Sequence, residues 1–386
     1  MKKQKTFLIL GAILVGIGIG ILLWNFLGPV LAKGVFYYQV DGNKANLFLL
    51  KNSKSEQIFS LPAREANLGD YRPPRYSYVS HDRKKLIYFN KTGEVPLGNL
   101  SKDLQIVRIV FEPILVNLKE GQEKKINQPI DSASLVFSPD DNQIAWIKQI
   151  EEATFQQIEA SGKKRELWVS KTDGSEAKLL FSFDEHVVLL ATWSGDYIYF
   201  QGFRDVNSRS MGRINVKTQK VEYLIPRNCD ETLASCENIQ FSLSGRKFLY
   251  EIYNKKDGRD VTELYLGDFE KKEFLEILTT DQISDRLWLE DGEKFFYTEQ
   301  ETVRKEGGGS EVKETVHLVD IKNQTDDKLY SGSYISQLTF DGGRYLYFLE
   351  KGSEEGNIFD LIRLDIRNKN SKTILTGNYN KILLLQ

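Results

Sequence analysis

Histidine, cysteine and methionine are scarce in this chain: 386 residues carry three, two and two of them. His81, His186 and His317 are far apart, and no His or Cys cluster has the short spacing that a zinc site needs. No GxSxG nucleophile elbow occurs. No P-loop and no dinucleotide fingerprint occurs either. No cofactor is therefore expected. Asp140-Asp141-Asn142 lacks the twelve-residue spacing and closing Glu of a calcium loop and reads as a turn. The few methionines, and the lack of amphipathic helical stretches, argue against a helical protein. Neither charge dominates. The formal net charge is −2, and residues 1–32 hold three lysines and no acid, which leaves −5 on the remainder. No basic stripe marks a nucleic-acid partner.

What is plentiful is aromatic residues in short apolar runs, with 18 tyrosines and 22 phenylalanines. The stretch FSPDDNQIAWI, residues 137–147, reads as strand, tight turn and strand. Proline presets φ, Asp and Asn bond their own backbone, and Ile144 to Ile147 form an apolar run of β character. Versions of this unit recur. Aligned on the fourth position of the second strand, the aromatics are Tyr37, Tyr88, Trp146, Tyr199, Tyr250, Tyr297 and Tyr347. Their steps are 51, 58, 53, 51, 47 and 50 residues. A period near 50 signals a propeller. A third strand, a polar turn such as Asp173-Gly174 and a fourth strand follow each time. The expected fold is all-β, a seven-bladed β-propeller with four-stranded blades. The first unit lacks an innermost strand and the chain ends with a spare one, KILLL, so the C-terminal strand should close the ring.

The N-terminus reads MKKQKT and then, from Phe7 to Leu27, is apolar except for Asn25. Twenty-one residues suffice to cross a bilayer core, which needs about 20, and Lys2, Lys3 and Lys5 mark a cytoplasmic start. The domain reading is a basic stub at 1–6, a transmembrane signal-anchor helix at 7–27, a linker at 28–34 and the propeller at 35–386. The propeller would lie on the extracytoplasmic side of the cell membrane. Val30-Leu31-Ala32 leaves a cleaved signal as the alternative. The propeller accounts for nearly all of the chain past residue 34, so no room is left there for a separate catalytic domain.

The repeat resembles the TolB-like, WD-repeat-like propellers of bacterial extracytoplasmic proteins. The resemblance is closest over Phe137–Ile147 with Leu167–Leu180. Ser242-Leu243-Ser244-Gly245 and Phe340-Asp341-Gly342 keep the turn and lose its proline. The resemblance implies fold and location and leaves the partner open. The leading functional reading is a membrane-anchored, non-enzymatic binding or scaffold module for a protein or a cell-envelope polymer. The alternative is a propeller enzyme, a glycan hydrolase or lyase with acids in its central channel.

Turns between first and second strands, and between third and fourth, share one face and are short. The insertions at 91–110, 151–166 and 301–314 share the other face with the inter-blade links. This elaborated face should point away from the bilayer and bind near the channel mouth, with Tyr71, Arg72, Arg75, Arg204 and Asp205 as candidate residues. Within 91–110, LQIVRIV could pair as an extra edge strand. Residues 151–166 could form a helical turn or two, and the Gly-rich 301–314 reads as a mobile loop. Cys229 and Cys236 are expected to form a disulfide in an oxidising space, two free thiols being the alternative.

Overall fold

The computed structural model describes residues 34–385, apart from 52–53, 68–69, 73, 75, 102–103, 150–163, 206–207, 225–235, 257, 305–307, 309, 353–356 and 379–381. The described residues form seven antiparallel four-stranded sheets and one small hairpin. From the channel outward, blade 3 is Ile130–Phe137, Gln143–Lys148, Arg165–Lys171 and Lys178–Phe183. Blade 2 has Ser77–Val79, Lys85–Ser101, Leu104–Asn117 and Gln122–Lys125. Blade 4 has Val187–Ser194, Tyr197–Asp205, Ser208–Asn215 and Val221–Tyr223. Blade 5 has Cys236–Phe241, Lys247–Lys256, Arg259–Asp268 and Glu273–Thr280. Blade 6 has Gln282–Trp288, Lys294–Arg304, Ser310–Asp320 and Thr325–Gly332. Blade 7 has Ser336–Phe340, Tyr345–Lys351, Ile358–Asp365 and Ser371–Asn378.

Blade 1 takes its inner strand from the far end of the chain. Ile382–Leu385 pairs with Val35–Asp41, from Phe36 opposite Leu385 to Gln39 opposite Ile382. Lys44–Lys51 and Lys54–Pro62 complete that blade. The expected closure of the ring is observed.

The core is a ring of seven apolar layers, one at each blade-to-blade interface. Second strands are packed on both faces, so they read as continuous apolar runs rather than alternating ones. In blade 1, Phe36 and Tyr38 face blade 2 while Val35 and Tyr37 face blade 7.

All seven aromatics used to count the repeat are buried. Two of them are out of register with the rest. Counting from the residue that opens the second strand opposite the third, the equivalent position is Tyr88 after Lys85, Trp146 after Gln143, Tyr250 after Lys247 and Tyr297 after Lys294. In blades 4 and 7 it is Phe200 after Tyr197 and Phe348 after Tyr345. Tyr199 and Tyr347 therefore face the following blade, whereas Phe200 and Phe348 face the preceding one. A shift of one residue reverses the face of a strand residue; the shorter turns at Gly195 and Gly342 hide that shift in the sequence.

Candidate functional site

The plain face is built by the turns that enter the second strands. In blades 2, 3, 5 and 6 these span six residues, 80–85, 138–143, 242–247 and 289–294, and share two backbone bonds. The first residue's N–H donates to the sixth residue's carbonyl, and the fourth residue's N–H donates to the first residue's carbonyl. The fourth residue is forced into left-handed backbone. It is Gly245 (φ 68°) and Gly292 (φ 63°) in two blades, but Arg83 (φ 59°) and Asp141 (φ 56°) in the others. Left-handed φ is uncommon for residues other than Gly, Asn and Asp. The serine and aspartate of the repeat close the turn: Ser138 Oγ donates to Asp140 Oδ1 (2.6 Å) and accepts Gln143 N–H (2.9 Å). Ser80 and Asp82 repeat this in blade 2, with Ser80 Oγ donating to Asp82 Oδ1 (2.7 Å).

Asp141 uses its position to lock two blades together. Its buried carboxylate accepts His81 N–H (2.9 Å) and Asp82 N–H (2.7 Å), and its Oδ1 lies 2.8 Å from His81 Nδ1. Lys85 Nζ and Thr172 Oγ1 donate to the Asp141 carbonyl.

Similar latches join other neighbouring blades. The inner strands of blades 3 to 7 each carry a bulge. A bulge leaves backbone groups without a ladder partner, and side chains of a neighbouring blade reach backbone groups beside these bulges. Ser134 Oγ accepts Leu190 N–H (2.9 Å), Asp285 Oδ2 accepts Leu338 N–H (3.0 Å), and, from the bulged stretch of blade 7, Gln337 Oε1 accepts Leu384 N–H of blade 1 (2.8 Å). Gln201 and Gln240 donate to the carbonyls of Ile239 and Arg286. Glu314 accepts Ile335 N–H. Burial holds the Asp285 and Glu314 carboxyls above their ordinary range, and the Asp285 charge adds to the effect at Glu314. Glu251, 1% exposed, faces the Arg286 guanidinium at 2.7 Å and accepts from Asn238 (2.7 Å) and the Tyr253 hydroxyl (3.0 Å). Acids do gather between blades 5, 6 and 7, on first, second and third strands. Each one holds a backbone N–H or an arginine.

At its plain-face end the channel opens into a cavity of about 520 Å³, lined from blades 1, 2, 5, 6 and 7. Phe36, Phe241, Trp288 and Phe340 form much of its wall, with Arg83 and Glu290 among its polar groups. Arg83 donates to the carbonyl of Gly34, where the described chain enters the ring. Burial lowers its guanidinium pKa, against the charges of Glu290 and Asp341. Nothing in the sequence pattern marks this cavity, because its lining comes from strand ends scattered over the whole chain.

On the opposite face, residues 91–110 do not form an extra edge strand. They prolong the second and third strands of blade 2 into one hairpin, paired out to Ser101 opposite Leu104 with three register shifts. The described parts of the 301–314 insertion likewise continue the ladder of blade 6, to Arg304 opposite Ser310; its Gly-rich tip, at 305–307 and 309, lies outside the described residues. The β-branched and apolar residues of both stretches favour strand continuation over coil. Blade 5 extends in the same direction to Lys256 opposite Arg259. The expected helical turn at 151–166 falls almost wholly outside the described residues; Arg165 and Glu166 open a strand.

Tyr71 and Arg72 lie in Asp70–Arg72, paired with Arg64–Asn67 in the small hairpin, so the polar loop after blade 1 is itself a strand pair. Arg75 lies outside the described residues. Arg204 and Asp205 end the second strand of blade 4. The structure does not bring blade 1's hairpin and blade 4's strand into one strand ladder. Cys236 is fully buried and disulfide-bonded; Cys229, its expected partner, lies outside the described residues. Among the described residues no cluster of three or more His, Cys, Asp or Glu could hold a metal ion. No helix among them is long and apolar enough to cross a membrane, and the predicted span at 7–27 lies outside them.

No protein-family model matches the chain. No curated protein matches it in sequence. Solved structures do match in fold. An oligogalacturonate lyase from Vibrio parahaemolyticus is similar at TM-score 0.53 and 11% identity, over 82% of this chain and 88% of the lyase. Pyrococcus horikoshii acylaminoacyl peptidase is similar at TM-score 0.51 and 15% identity, over 90% of this chain and 53% of the peptidase. TolB from Acinetobacter baumannii is similar at TM-score 0.43 and 13% identity, over 90% of this chain and 80% of that one. This chain thus spans about half the length of the peptidase. At such identities the likeness shows the propeller fold alone.

Proposed function

We propose that the protein is a binding or scaffold propeller, anchored in the cell membrane by residues 7–27 and facing the extracytoplasmic side. Its partner is a protein or a cell-envelope polymer, engaged by the elaborated face. The observation that carries this reading is the one-sided growth of the ring. Second-to-third hairpins in blades 2, 5 and 6 continue as paired strands on one face, while the turns of the other face stay short. A rigid ring presenting ordered hairpins suits recognition. The buried carboxylates between the blades support binding over catalysis, since Asp285 and Glu314 accept backbone N–H groups and Glu251 faces Arg286.

The test is capture of partners from solubilised envelope by the full chain. Replacing residues 93–108 with a two-residue turn should lower capture at least tenfold and leave the melting temperature within about 2 °C, because the hairpin opens independently of the ring. Undiminished capture by that variant would contradict the proposal.

A further inference from the structure

The cavity on the plain face has no part in that reading. It has the size of a ligand site, about 520 Å³ against the few hundred to a thousand typical of such sites. Its wall is apolar and aromatic: Phe36, Phe241, Leu287, Trp288 and Phe340, with Leu243 at the lip and 50% exposed. Large apolar groups at a surface opening mark an interaction site. The rim holds one outlier. Arg83 occupies a left-handed position that Gly245, Gly292 and Asp141 fill in the sister turns, Asp141 as the latch described above. A non-glycine residue kept in that backbone points to a use for its side chain. Its guanidinium has five N–H donors, of which the Gly34 carbonyl engages one. Two acids oppose its charge. Glu290 lies on the same rim. Asp341 spends Oδ1 on the N–H groups of Gly343, Arg344 and Tyr345.

The chain enters the ring at this rim, since Val35 and Phe36 line the cavity. Residues 28–34 separate it from the expected membrane span and reach at most about 25 Å when extended. With that span as the anchor, the rim lies within that distance of the bilayer. We infer that the cavity takes an acyl chain of a membrane phospholipid, with Arg83 set to meet the headgroup phosphate. The inference rests on residues 7–27 serving as the anchor proposed above.

The test uses the full chain in phospholipid vesicles doped with a phospholipid bearing a diazirine at the end of one acyl chain. After illumination, adducts are mapped by mass spectrometry of peptides. The expected pattern is adducts both in 7–27 and in peptides carrying 241–243, 287–289 and 340. Leu243→Glu, at the exposed lip, should reduce the cavity adducts at least fivefold with those in 7–27 unchanged. Arg83→Gly, which places there the residue of two of the sister turns, should reduce them several-fold and serves as the deciding variant should Leu243→Glu lower the melting temperature. Adducts confined to 7–27 would overturn the lipid site and leave the anchor standing. Adducts in neither region would overturn both. Adducts at the cavity alone would keep the site and remove the anchor. Cavity adducts undiminished in both variants would show labelling without a built site.

Discussion

Single polar residues hold the blades together where ladders fail. Asp141 satisfies two N–H groups of the neighbouring turn, and leaving a buried donor unpaired costs about 1–3 kcal/mol. Asp141→Ala should therefore destabilise the ring by about that range in denaturant unfolding. Asp141→Asn should lose less, since Asn tolerates left-handed backbone and keeps one acceptor oxygen. Equal losses in the two variants would rule out the latch. Asp285 supplies a pH prediction. Its carboxyl is raised above the unfolded value chiefly by burial. A raised acid contributes stability that is present below its unfolded pKa and fades as pH rises through the folded one. Asp285→Asn retains an acceptor for Leu338 N–H and has no charge to bury. The variant should accordingly gain on the wild type as pH rises above the unfolded carboxylate value of about 4, read as melting temperature against pH. A difference between the two that stays constant with pH would refute this account.

At the scale of elements, the closing strand is the critical piece. Ile382, Leu384 and Leu385 are 2%, 5% and 9% exposed. Full burial of such a side chain contributes about 1.5–3 kcal/mol, and whole domains are stable by only about 5–15 kcal/mol. Deleting 380–386 should bare the edge of Val35–Asp41 and the apolar layers on both sides of blade 1. The expected result is a large fall in melting temperature or aggregation. A truncated chain that melts where the intact one does would exclude closure by this strand.

For the whole molecule, the two faces differ in what they offer, and this makes orientation measurable. Single cysteines placed in the full chain and probed in intact cells with a membrane-impermeant label should react at 93–108, on the elaborated face. They should be shielded at Asp173, on the plain face. The reverse pattern would invert the proposed orientation. The outcome would also locate the apolar cavity, which opens on the same side as Asp173.

The sequence alone determined the architecture. Second strands are packed on both faces in every blade, so each leaves an apolar aromatic run that recurs at nearly constant spacing. The missing first strand and the spare last one then required ring closure. Turn chemistry was equally legible, because Ser, Asp and Gly act within six residues of one another. Tertiary structure decided what depends on residues far apart in the chain. The one-residue slip at Tyr199 and Tyr347 escaped the repeat alignment, since both faces of these strands are apolar. The strand extensions at 91–101 and 310–314 were hidden because continuing a ladder depends on a partner strand as much as on local sequence. The struts Asp285, Gln337 and Ser134 read as ordinary strand polar residues until a neighbouring blade supplies the group they bond. The cavity is the clearest case: its wall is assembled from the ends of strands in five blades, a juxtaposition that exists only once the ring is closed.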